Sequence, residues 1–442
     1  MTYKNPKLYK SIKSYVVAAI DLVGNDLGNK FPSDDWFDAP EFPFIYSHDK
    51  LKQLPEYKKC LKVLKGDSII TSQFDVLVGI NSRRSRSPKL EELMMRLPHL
   101  TIYKNTIKFN EEYFEREYNA FESNLYDKNF SYEVIVPLSG PVFKSPFKLS
   151  DKLEICQVNK NDLTIPLKSD MASNNRPYFD QLLWAIRTEY TLPKIIGDDV
   201  KPNLEESDKN EACRNKANKT IEQVLTCLRL LGASNVYPYQ ITHRTKPWLF
   251  HDIRQYSIKY FPATQFSLEL EKDFHKVFIK FWETFQKYGV NKHTFIAVAT
   301  KRYSYAHERY DREDRIIDLL IAAEALFLPK SGGQGELKYR LKFHAAIFLG
   351  NDSHTKKQIF DDMSFAYDLR SKIVHGSSDL DKFIKRIESR EDIGFGEKYK
   401  FDQFIYRIQE YIRVAIYKMI NIASLNSNQK EIVNWDKLIL DQ

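Results

Sequence analysis

Cysteine is scarce in this chain: four thiols, Cys60, Cys156, Cys213 and Cys227, among 442 residues. None falls in a Cys-x-x-Cys pair, which excludes the usual zinc-ribbon and thiol-redox spacings. So low a thiol content is the expectation for a reducing cytoplasm rather than for secretion. Long apolar runs are missing as well, and none approaches the roughly 18 residues that a membrane span needs. The apolar patch Tyr15 to Ile20 is short, is broken by Asp21 and has no small-residue cleavage site, so it is a poor signal peptide. The chain has no internal repeat and no low-complexity tract. It has no Gly-x-Ser-x-Gly elbow, which removes the serine-hydrolase reading. Ser331-Gly-Gly-Gln-Gly335 lacks the Gly-Lys-Ser/Thr ending of a phosphate-binding loop and reads as a connection between helices. No His/Asp/Glu set has convincing metal-ligand spacing. Arg340 and His344 stand one turn apart without further ligands, and His243, His251 and His275 are scattered surface or core histidines. Neither a metal nor a cofactor is expected.

What the chain does hold is the material of packed cores. Hydrophobic residues make up 43% and aromatic residues 14%, ordinary for a folded protein and too much for disorder along most of the length. The length suits two or three domains. A formal net charge of +8 is compatible with a phosphate-bearing partner and far below that of a histone-like binder.

Three regions differ in texture, and the expected class is α+β. Residues 1–128 form a mixed region in which short helical patches alternate with loops such as Phe31 to Phe44. A basic stretch there, Asn81 to Lys89, lies between an apolar run and a helix; it is either a contact for a nucleic-acid backbone or a solvated loop. Residues 129–262 read as strand-rich. Tyr132 to Leu138 is β-branched, and Leu183 to Leu192 alternates with the period of a half-buried strand. Residues 196–218 turn polar and read as a loop. A helix follows with Ile221, Val224, Leu225, Leu228 and Leu231 at helical spacing, and Gly232 stops it. Residues 263–442 read as an all-helical bundle. Its stripes are Leu270, Phe274, Val277, Phe278, Phe281 and Phe285, then Ile316 to Leu328, then Phe401 to Ile420 on a long final helix.

Two charged residues fall on apolar stripes of this last region. Glu324 follows Ile317, Leu320 and Ile321; Arg370 follows Met363, Ala366 and Tyr367. A buried charge is tolerable only with a partner, so the two are expected to face one another. The bland version is a structural ion pair that sets helix register; the functional version is a charge pair at the mouth of a phosphate site. His375 follows Arg370 by five residues and precedes Gly376, which places it in the last helical turn, where the dipole favours its protonated form. A histidine that titrates near neutrality and an arginine that grips phosphate oxygens are the groups that phosphodiester cleavage by an RNA 2′-hydroxyl requires. The spacing itself is weak, because Arg302 and His307 repeat it; the second copy runs into the charged stretch Glu308 to Arg315 instead of a glycine.

The stretch Asp314 to Phe327 is similar to the signature helix of the Apea-like branch of the HEPN superfamily. So are the glycine loop Ser331 to Gly335, the helix Tyr339 to Leu349 and Tyr367 to Gly376, in matching order over about sixty residues. Upstream, roughly residues 110–260 resemble the usual N-terminal companion of that branch more weakly. The resemblance implies a C-terminal HEPN-like helical bundle and a cytoplasmic, metal-independent endoribonuclease, used in bacterial anti-phage defence or in a toxin-like role. It implies catalysis by Arg370 and His375, with Glu324 in support. Many active members carry Asn or another polar residue after the arginine; Ser371 stands there and is also able to bond a phosphate. The alternative is a catalytically inactive HEPN module that binds a nucleotide or a partner. On a regular helix the side chains of Arg370 and His375 point about 140° apart. A homodimer through the C-terminal domain, with RNA as substrate and no membrane, is therefore the expected assembly.

Overall fold

The computed structural model describes residues 3–27, 48–74, 77–80, 83–86, 89–98, 107–158, 184–193, 204–232, 236–238, 240–245, 254–257, 268–271, 273–290, 293–328, 336–394, 399–426 and 432–440. Phe31 to Phe44, the glycine loop Ser331 to Gly335 and His251 lie outside them. The chain is α+β and divides into two units. The first comprises Met1–Ile221 with Tyr237–Leu270, the second Glu222–Val236 with Glu271–Gln442. Among the described residues no helix is long and apolar enough to cross a membrane.

The first unit begins with α1 (Pro6–Leu27), a helix of 22 residues where short patches were expected. Leu8, Ile12, Tyr15, Val16, Ala19, Ile20 and Val23 recur at helical spacing and are buried, so the N-terminal apolar patch is core. The short α2 (His48–Gln53) leads into α3 (Pro55–Lys65), α4 (Ser68–Thr71), α5 (Leu90–Arg96) and α6 (Glu111–Tyr126). Tyr57, Cys60 and Leu64 of α3, Leu93 and Met94 of α5, and Phe114, Tyr118 and Phe121 of α6 join α1 in one hydrophobic cluster. Burial pushes the Cys60 thiol up to about 12, so it is packing material rather than a nucleophile. Within the basic stretch, Arg83–Arg86 forms strand β2, paired antiparallel with β1 (Leu77–Ile80).

A seven-stranded sheet follows, in the order β10-β9-β3-β7-β6-β5, with β8 also on β3. β3 (Asn129–Ser139) is central; β7 (Trp184–Pro193) and β9 (Gln240–Thr245) flank it antiparallel. β5 (Phe147–Ser150) and β6 (Leu153–Gln157) continue one edge, and β10 (Arg254–Ser257) closes the other beyond β9. β8 is Tyr237–Pro238, and β4 (Pro141–Val142) pairs in parallel with β11 (Leu268–Glu269). Tyr132 and Leu192 carry one sheet face into the α1–α6 cluster.

From Leu204 on, the polar stretch expected as a loop is instead the start of α7 (Leu204–Leu230), which runs on through the expected apolar helix; residues 196–203 lie outside the described residues. Its composition is polar, but neither Gly nor Pro interrupts it between Leu204 and Leu231, and Glu, Lys, Ala and Arg are strong helix formers. It ends at Gly232, whose φ of +100° suits glycine.

The second unit is helical: α8 (Phe274–Thr284) with a π-helical turn Phe285–Val290, α9 (Thr294–Glu308), α10 (Arg312–Phe327), α11 (Leu337–Leu349), α12 (Ser353–Val374), α13 (Leu380–Glu388), α14 (Lys400–Leu425) and α15 (Trp435–Leu440). The stripe on α14 is buried throughout, from Phe401 to Ile420, although α15 and not α14 is last. The other stripes need correction. Leu270 precedes the helix and donates its N–H to Val142 in the first unit, and Val277 is 51% exposed; Phe278, Phe281, Trp282 and Phe285 are the buried face. On α10 the buried residues are Ile316, Asp318, Leu319, Leu320, Ala322, Ala323, Leu326 and Phe327, while Ile317, Ile321 and Glu324 are only partly buried. On α12 they are Ile359, Asp362, Met363, Ala366 and Leu369; Val374 faces solvent.

Asp362 is fully buried and receives Arg390 at 2.6 Å, Arg407 at 3.2 Å and the Tyr411 hydroxyl at 2.8 Å. These bonds tie α12 to the segment after α13 and to α14. Removing the carboxylate takes the buried counter-charge from two guanidinium groups and leaves them only the more exposed Asp392. Asp362→Ala is therefore expected to cost about 3–5 kcal/mol, read as a lowered urea midpoint; a loss under about 1 kcal/mol would show the network to be a surface pair in effect.

Candidate active site

The site is assembled on α12. Asp352 caps its N-terminus in a reciprocal capping box with Thr355. Its C-terminus is closed by a Schellman arrangement: Gly376, at φ +61°, donates its N–H to the Ile373 carbonyl, and Ser377 donates to the Lys372 carbonyl at 2.9 Å. Asp379 accepts from Lys372 at 2.7 Å and from the Ser377 hydroxyl, which fixes the turn beyond the glycine. Both bonds hold the Asp379 carboxyl below the usual carboxylate range. Sequence reasoning missed these two residues, although a serine and an aspartate just after a helix-ending glycine are turn formers.

On this helix Arg370 meets Glu324 of α10: Nη1 lies 3.1 Å from Oε1, and both side chains are 28% exposed. The expected pair is thus formed, at the flank of the bundle rather than in its middle. Burial raises the Glu324 pKa, and the attraction of Arg370 opposes that rise without cancelling it. The Nε of Arg370 is shut off from solvent and has no hydrogen-bond partner among the described residues. Ser371 is half-buried, and its carbonyl accepts the backbone N–H of His375 at 3.1 Å. His375 caps α12 and is exposed. The arrangement offers a partly shielded guanidinium, oriented by a carboxylate, and an imidazole open to a ligand at the helix end.

The second Arg-x4-His pair is built differently. Arg302 is bound to Asp318 at 2.8 Å, and Arg309 binds the same carboxylate at 2.9 Å. His307 is buried in the bundle. Its Nδ1 donates to the Tyr303 carbonyl at 2.9 Å, which leaves Nε2 to accept from the Gln409 amide at 3.0 Å. That is a neutral ring with both nitrogens used. Burial, then the nearby Arg229, hold its pKa well below the ordinary imidazole range. His344 is likewise a core residue: Nδ1 lies 2.6 Å from the Phe327 carbonyl and the ring stacks on Trp435 at 4.4 Å. Its pKa is lowered, chiefly by burial.

The sign of the pH dependence follows. Near and below the ordinary histidine value of about 6.5, the unfolded chain binds protons that buried His307 and His344 do not. Stability present above that value is lost as pH falls. The urea midpoint should drop between about pH 7 and 5, and His307→Gln should flatten that slope by up to ~1.4 kcal/mol per pH unit. An unchanged slope would mean that His307 takes up its proton in the folded state.

No family model matches this chain, and no curated protein or solved structure matches it.

Proposed function

We propose that the chain is a metal-independent endoribonuclease of the HEPN type, working in anti-phage defence or in a toxin-like role. The observation that carries the reading is the Arg370–Glu324 pair, held on the helix that His375 ends. It lies in the stretch that resembles the HEPN signature. In the reaction, the RNA 2′-oxygen attacks the adjacent phosphorus as its proton passes to the His375 imidazole. The bond from phosphorus to the 5′-oxygen breaks, and the imidazolium returns a proton to that leaving oxygen. Arg370 faces the charge that gathers on the non-bridging oxygens. Glu324 positions Arg370. The products are a 2′,3′-cyclic phosphate and a 5′-hydroxyl, and every proton and charge in this scheme is carried by a side chain.

The assembly we propose is a homodimer through the helical unit. Arg370 and His375 diverge by about 140° on one helix, so a twofold axis between two copies brings Arg370 of one protomer near His375 of the other.

The following measurements test this. Arg370→Ala and His375→Ala, both folded by circular dichroism, should each lose at least about 100-fold in RNA cleavage, while EDTA leaves the wild type unaffected and the products carry cyclic phosphate. Cleavage abolished by EDTA and restored by a divalent ion sinks the mechanism. Wild type that binds RNA without cutting it assigns the chain to the silent-module alternative. Mixing the two inactive variants should restore part of the activity if each site draws on both protomers; no recovery means that each protomer holds a complete site.

A further inference from the structure

The first unit contains a buried arginine with no counter-charge among the described residues. Arg214, on α7, is 9% exposed. Its Nε is sealed from solvent and meets no hydrogen-bond partner, and no carboxylate pairs with it among the described residues. An enclosed guanidinium nitrogen without a hydrogen-bond partner costs free energy, and among the described residues no acidic side chain offsets it. One helical turn on, on the same face of α7, stands Asn218. Its Oδ1 lies 3.1 Å from His243 Nε2, and His243 Nδ1 lies 3.0 Å from the Tyr190 hydroxyl. With the Asn218 oxygen placed toward the ring, Nε2 carries the ring proton, Nδ1 is the acceptor, and the Tyr190 hydroxyl donates. His243 is 1% exposed on β9, and Tyr190, on β7, stacks on Tyr132 at 5.2 Å. The chain of three residues holds the Asn218 amide in one orientation. Its oxygen is turned to the sheet, and its two N–H donors meet no acceptor among the described residues.

We infer that Arg214 and the Asn218 amide form an oxyanion site in the first unit, for the phosphoryl group of a small ligand. The forked guanidinium and the adjacent amide supply several donors on one helix face and no acceptor, the pattern that a phosphate requires. His243 and Tyr190 are positioning residues that hold Asn218. The inference concerns the unit that lacks the Arg370 pair and does not depend on the ribonuclease reading.

The full-length protein is titrated calorimetrically with inorganic phosphate, ATP and citrate, alongside Arg214→Gln. Phosphate or ATP should bind the wild type, and Arg214→Gln should weaken that binding by at least about tenfold. Citrate binding without either phosphate probe overturns the phosphoryl assignment, and equal binding by wild type and Arg214→Gln overturns the site. Arg214→Met, melted in anion-free buffer, supplies a readout that needs no ligand. Removal of an uncompensated buried charge should leave the melting temperature unchanged or raise it. A fall of several degrees would show that Arg214 already has an internal partner and would end the proposal.

Discussion

A charge withdrawn from water is costly unless it finds a partner, and in the second unit such pairs set the helices in register. Two buried carboxylates do most of the fixing. Asp318 collects Arg302 and Arg309, which ties α10 to α9 and its end. Asp362 collects Arg390, Arg407 and Tyr411, which ties α12 to α14. Arg390 also lies over the Phe365 ring, so its charge is shielded on a second side. Breaking either cluster strands charges that the packing has already enclosed, which is why such networks resist rearrangement even where they add little net stability. The helix that carries Arg370 and His375 inherits its position from Asp362, eight residues before Arg370.

The parts of this fold that were legible in the amino-acid order are those where pattern and physics leave one solution. Phe401 to Ile420 has a single apolar face, and that face is buried. Gly376 has one reason to follow His375, a left-handed residue that ends α12. The alternation in Trp184 to Leu192 gives a strand beside Tyr132 to Leu138. The pairing of Glu324 with Arg370 followed from the cost of leaving either alone.

Other features were hidden for physical reasons. The segment Ile316 to Phe327 is apolar nearly all round, so its periodicity does not determine which face turns inward. Asp318 decides: two arginines draw it into the bundle, the helix rotates with it, and Glu324 moves to the flank. The start of α7 hid behind its polarity, because a polar run without glycine or proline is as good a helix as a loop. The Asn218–His243–Tyr190 chain joins residues far apart in sequence, and no local spacing announces it.

Glu324 is the residue whose presence stability explains least. Arg370 stands 3.1 Å away, yet burial still holds the Glu324 carboxyl above its ordinary range. A raised carboxylate pKa means that the ionised form is worse off in the folded protein than in the unfolded chain, so near neutrality this group subtracts from stability. Asp392 behaves in the opposite way: bonds from Arg390 and Arg407 hold its carboxyl far below the usual range, and the ion pairs there are net favourable to the folded state. An apolar residue at position 324 would be easier to bury, but it would leave Arg370 without a carboxylate. The pair makes sense as a means of keeping an arginine fixed in direction and only partly satisfied, with further donors left for another anion. In the function proposed above, that is the electrostatic condition a phosphate site needs before substrate arrives: a guanidinium partly shielded by the fold, oriented by one oxygen, and incompletely bonded.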